Sequence, residues 1–352
     1  MPDDSIEDTM NQIEARYRVR FSGHPRVSRD PEELTQMLAD LDAIATEAEA
    51  DAELSERLKR NRTLYTSERE AVNEARAAPG AIQAHRQRLW ADLCIARYKH
   101  HFANQPRSSR DVSRLADMRR FLGAVHAKLK TMHAAAPHLQ LQSAVSMVSS
   151  AVSLYTAESE RIRTARLEGD MPTQGTRLAT LANAQFEEYR QGFAGKSRLS
   201  RSISRLERIL SALEELAGGM SRLARSGFAS DSNNQNLALV TERRSAYRAE
   251  LGEITKAQSA AELPERVNAL SAAANQVFGW YREEFAGASR ATRDLQKLDV
   301  LYELLWPIAT EMDTIDQTEG HETNERNLSI VLDNLLLYTR EFDAIVAAQA
   351  DA

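Results

Sequence analysis

The sequence predicts an all-α protein of four tandem three-helix repeat units, about twelve long helices in an elongated helical array. Three observations predict it. Only 14 Gly and 9 Pro occur in 352 residues, alongside abundant Ala, Leu, Arg and Glu, a composition that favours helix. One stretch recurs four times, reading Tyr281-Arg282-Glu283-Glu284-Phe285-Ala286-Gly287 with Arg290 and Arg293 in its last copy. Earlier copies start at Tyr17, Tyr98 and Tyr189, and the phenylalanines Phe21, Phe102, Phe193 and Phe285 are 81, 91 and 92 residues apart. A second anchor, Tyr-x-x-Glu, follows at Tyr65, Tyr155, Tyr247 and Tyr338, and no alternating strand pattern competes. The units so defined are 1–78 (shortened, a capping unit), 79–171, 172–260 and 261–352.

Each unit reads in the same order. Pro2, Pro79, Pro172 and Pro264 open the first helices, because a proline in the first helical turn removes an N–H that has no partner there. These helices carry apolar residues at i, i+3, i+7, such as Ile95, Tyr98, Phe102 and Phe278, Tyr281, Phe285. They stop at Gly23, Asn104, Gly195 and Gly287, the residue types that tolerate a left-handed C-terminal cap. Ser28, Ser109, Ser200 and Thr292 are expected to cap the second helices. Leu34, Leu115, Leu206 and Leu298 then begin an apolar frame continued by Met37, Met118, Ile209, Leu301 and by Leu41, Leu122, Leu213, Leu305. Connections marked by Pro137, by 226–234, and by Pro307 with Gly320 lead to third helices bearing the Tyr-x-x-Glu pair. In the first unit the second helix is expected to run through the acidic stretch 47–53.

Three basic positions recur in register around each junction: Arg18, Lys99, Arg190, Arg282; then Arg26, Arg107, Arg198, Arg290; then Arg29, Arg110, Arg201, Arg293. With Ser or Thr as N-cap, the last set falls at the first helical position, where its charge opposes the helix dipole by roughly 0.3–1 kcal/mol. An anion should offset that cost. The internal candidate is Glu68, Glu158, Glu250 and Glu341, with the neighbouring tyrosine hydroxyl completing the network. The external candidate is a phosphate group or an acidic partner surface held by the paired arginines and the helix N–H groups.

Other chemistry is faint. A formal charge of −6 argues against a surface built wholly for nucleic acid, so nucleic acid is not an expected partner. Cys94 is the single cysteine, read as a small core residue. His126 and His133 lack metal-ligand spacing, His100-His101 occur at one junction only, and Gly218-Gly219 lacks the Lys-Ser/Thr of a phosphate loop. No signal peptide or spanning run is evident, which makes the cytoplasm the expected location. The sequence thus predicts a non-enzymatic scaffold or adaptor that binds protein partners along inter-unit surfaces, with no cofactor and no metal. Its alternative is a receptor for phosphorylated or other anionic ligands at the eight arginines of the second and third basic sets.

Overall fold

A computed structural model describes residues 3–22, 25–49, 51–102, 105–139, 141–227 and 230–350; the expectations for Pro2, Gly23 and Asn104 fall outside them. Among these residues thirteen α-helices follow one another: α1 Asp3–Arg20, α2 Pro31–Ala43, α3 Ala45–Ala48, α4 Ala52–Ala77, α5 Ala81–Phe102, α6 Val112–Ala135, α7 Gln142–Arg166, α8 Met171–Phe193, α9 Ile203–Arg225, α10 Asp231–Ala260, α11 Leu263–Phe285, α12 Leu295–Thr318 and α13 Glu322–Ala350. The protein is all-α. No described helix is long and apolar enough to cross a membrane.

The chain forms two compact units, Met1–Ala91 with Val125–Met147, and Asp92–Ala124 with Val148–Ala352. In the first, Met10 and Ile13 of α1, Leu34, Met37 and Leu41 of α2, and Leu58 and Tyr65 of α4 share one core. In the second, α9 packs between α8 and α10, and α12 packs between α11 and α13. The i, i+3, i+7 frame does what its period requires: all twelve of its positions are 5% exposed or less. Burying each such side chain contributes about 1.5–3 kcal/mol. Cys94 is wholly buried in the second unit, with its Sγ 3.8 Å from the Met118 carbonyl. The first helices turn slightly from their expected face: α11 buries Leu270, Ala274, Val277 and Phe285, and leaves Phe278 half-buried.

Several element ends differ from expectation, each for a local reason. Ser28, Ser109, Ser200 and Thr292 do not cap the second helices. They lie in single 3-10 turns and donate their hydroxyls to the carbonyls of Pro25, Pro106, Ser197 and Ser289 at 2.8–3.1 Å. The caps come two residues later: Asp30, Asp111, Ser202 and Asp294 accept from the free N–H groups of α2, α6, α9 and α12. Gly195 and Gly287, at φ +70° and +76°, take the left-handed conformation just beyond α8 and α11.

Pro172 and Pro264 sit in the first turns of α8 and α11, but Pro79 lies in the turn before α5. In the first copy the second helix breaks at Ile44. Asp51, from the acidic stretch expected inside it, caps α4 by accepting from Glu53 and Leu54, because a short carboxylate competes well for free N–H groups. Pro307 lies inside α12 rather than in a connection.

Candidate functional site

At each junction the first and second helices are joined by the 3-10 turn, and the third basic set sits just past it in extended conformation, ahead of the N-cap. Arg29, Arg110, Arg201 and Arg293 are therefore not in the first helical turn, and the expected dipole conflict does not arise. Both arginines instead meet one carboxylate from the third helix. Glu68 accepts from Arg26 at 3.3 Å and from Arg29; Glu158 from Arg107 at 2.9 Å and Arg110 at 2.6 Å. Glu250 accepts from Arg198 at 3.1–3.2 Å and from Arg201; Glu341 from Arg290 at 3.1–3.3 Å and from Arg293. The hydrogen bond of Arg198, then the charge of Arg201, holds the Glu250 carboxyl below its ordinary value against the opposing effect of burial.

Two further parts complete this clasp. The tyrosine of the first helix stacks on the Tyr of the third, with centroids 4.7, 4.5, 3.7 and 4.6 Å apart in chain order, and also meets the junction phenylalanine, stacked in three copies and tilted by 55° between Tyr98 and Phe102. Burial, then the adjacent glutamate charge, pushes the phenols of Tyr17, Tyr98, Tyr189 and Tyr281 above their usual value. Among the described residues the buried hydroxyls of Tyr155 and Tyr338 have no hydrogen-bond partner, contrary to the expected network, so these two tyrosines act through their rings. The second part was missed in the sequence. Eight residues after each glutamate, Arg76, Arg166, Gln258 and Gln349 donate at 2.6–2.8 Å to the carbonyls of Arg29, Arg110, Arg201 and Arg293. Two are Arg and two are Gln, so residue identity hides a shared donor role. The first basic set has no common partner: Arg18 faces Glu14, Lys99 Asp343, and Arg190 Glu187.

A second constellation, in the Asp92–Ala124/Val148–Ala352 unit, was also missed. Arg97, Arg114, Arg205, Arg208, Glu188 and Glu303 are each only 3–8% exposed. Arg97 holds Glu303 through two bonds of 2.6 and 2.8 Å and lies over the Trp306 ring at 4.9 Å. Arg114 bridges Glu188 at 2.8 Å and Glu303 at 3.1 Å. Arg208 binds Glu188 and lies 3.4 Å from Asp111, which also accepts from Gln185.

Arg205 donates to Glu188 and, at 3.1 Å, to the backbone carbonyl of Glu303. That carbonyl is available because its regular helical donor would be the N–H of residue 307, and Pro307 has none. A Cβ at Gly192 on α8 would press on the Arg205 guanidinium carbon at 3.1 Å, so that group would have to shift by a few tenths of an ångström. Burial works against ionised Glu303, but Arg114 and Arg97 outweigh it and hold the carboxyl well below its ordinary range. Burial and neighbouring guanidinium groups push Arg205 and Arg208 down to about 10, so both remain charged at neutral pH.

Among the described residues no group of three or more His, Cys, Asp or Glu is placed to hold a metal ion. Comparison with protein-family models, curated proteins and solved structures finds no match in any of the three.

Proposed function

We propose that the protein is a non-enzymatic helical scaffold that holds protein partners on the exposed faces of its Tyr-x-x-Glu helices. The observation that carries this reading is an exposed apolar position repeated in register. Leu64, Leu154 and Leu337 immediately precede Tyr65, Tyr155 and Tyr338 and are 44, 49 and 44% exposed. Seven residues before the second and third of these lie Met147 and Ile330, and Leu239 holds the same register in α10, all exposed. Residues at i and i+7 share one helical face, the spacing at which partners engage a helix through apolar anchors. A single exposed leucine needs no explanation, but the same position kept apolar in three copies does. The junction arginines support the reading in another way: each pair already holds an internal carboxylate, so an external anion would have to displace it.

The test is a photo-crosslinking residue placed at 154, at 337 or at 346 of the full chain, irradiated in lysate of the cell that makes the protein. Val346 is also exposed on α13 but half a turn away from Leu337 around the axis. A common adduct at 154 and 337, absent at 346, is expected. Equal adducts at all three positions, or none, overturns the proposal.

A further inference from the structure

We propose that His100 and His101, in the last turn of α5, form a proton-operated latch that seats this end of the helix on α13 at neutral pH and releases it in mild acid. Two adjacent histidines occur at this junction and at no other, so the latch is separate from the clasps and from the exposed helix faces.

The surroundings of His100 make the first argument. Its side chain is 5% exposed; the ring stacks on Phe342 of α13, with centroids 3.9 Å apart, and meets Tyr302 of α12 edge-on at 6.4 Å. Its buried Nε2 has no hydrogen-bond partner among the described residues. A neutral ring can leave that nitrogen as a bare lone pair, but a protonated one puts an N–H and a charge there. The charged groups that act on it are Asp343 of α13, Asp299 of α12 and Lys99 beside it. Asp343 lies 3.8 Å from Nε2, yet it is 54% exposed and already accepts from Lys99 at 2.7 Å. Burial therefore prevails over Asp343 and holds the imidazole below its ordinary 6.5.

His101 makes the second. Its Nδ1 lies 2.9 Å from Arg114 Nη1 of α6 and 2.9 Å from Asp299 Oδ2 of α12, with the Glu303 carboxylate also acting on the ring. One nitrogen cannot accept from a guanidinium and donate to a carboxylate at once, so its proton chooses the partner. Unprotonated, Nδ1 accepts from Arg114; protonated, it donates to Asp299, and Arg114 turns wholly to Glu188 and Glu303. Acid thus loosens α5 from α13 and α6 together and leaves it tied to α12. Because the folded His100 binds its proton less readily than an unfolded one, its contribution is fully present above pH 6.5 and is lost as pH falls through the folded value.

The test is hydrogen exchange of the full chain at about pH 7.5 and about pH 5, corrected for intrinsic rates and read over residues 95–102 and 339–346. Protection there should fall at least about threefold in acid. His100→Phe, which keeps a ring on Phe342 but cannot take a proton, should abolish most of that fall. NMR titration of the native chain reads His100 without any variant: its ring should titrate below 6.5, in step with the loss of protection. Equal protection at both pH values, the same loss in His100→Phe as in the native chain, or a His100 midpoint at or above 6.5 overturns the proposal.

Discussion

The junction clasps and the interior cluster are built from the same chemistry, arginines on shared carboxylates, yet they sit in different media. At the first junction two arginines share Glu68, and the Arg26 side chain is 57% exposed, so water solvates its charge. In the cluster four arginines share three carboxylates, and no guanidinium there is more than 8% exposed. The difference teaches where pairing matters: a solvated charge asks for little, whereas a buried one destabilises the fold unless it is paired.

Removing a carboxylate sharpens this comparison most strongly at the cluster. Glu303→Gln leaves Arg97 and Arg114 without their shared anion and should cost about 3–5 kcal/mol by chemical denaturation. The same variant should flatten the acid limb of stability. The folded Glu303 carboxyl is held well below its ordinary 4.5, so its contribution is fully present above pH 4.5 and is lost as pH falls toward the folded value. A penalty under about 1 kcal/mol would mean that the cluster is no more demanding than an exposed pair.

The apolar frame was legible in the sequence because its i, i+3, i+7 spacing is a direct consequence of helical geometry, and Leu34, Leu115, Leu206 and Leu298 are all buried. The clasps were legible because Arg26 to Arg293 and Glu68 to Glu341 recur in register. Recurrence could not locate the N-caps, since serine hydroxyls serve 3-10 turns as readily as helix starts. Nor did it reveal the cluster, whose register positions change charge between copies: the residues before the four junction tyrosines are Arg16, Arg97, Glu188 and Trp280, and those before the frame leucines are Glu33, Arg114, Arg205 and Lys297. One signal was visible all the same. Glu303 is the lone charge in Val300-Leu301-Tyr302-Glu303-Leu304-Leu305-Trp306, where a carboxylate must be buried and therefore paired.

A smaller effect tests the boundary between the two regions. Lys196 lies inside the third junction, between Phe193 and Arg198, 5.9 Å from the Trp280 ring; burial first, then Arg205 and Arg201, push its amine down to about 8. Its folded pKa lies below its ordinary 10.5, so holding it charged costs stability below pH 8, and the cost is relieved as pH rises from 8 to 10.5. Lys196→Met should therefore raise stability at pH 7 by on the order of 1 kcal/mol, allowing for screening, with the gain gone by pH 10.5. If thermal melts across that range run parallel for the two proteins, the positive field of the cluster does not reach the clasp.

The central claim, that the repeated arginines are internal clasps rather than vacant receptors, is tested most directly by a double-mutant cycle on Arg293 and Glu341. The two residues are in direct contact across the last junction, with side chains only 14 and 5% exposed. Denaturation of the native chain, Arg293→Ala, Glu341→Gln and the double variant should give a coupling energy of at least about 0.5 kcal/mol, the double variant losing less than the sum of the singles. Strictly additive losses would contradict the clasp and return the junction arginines to the search for an external ligand.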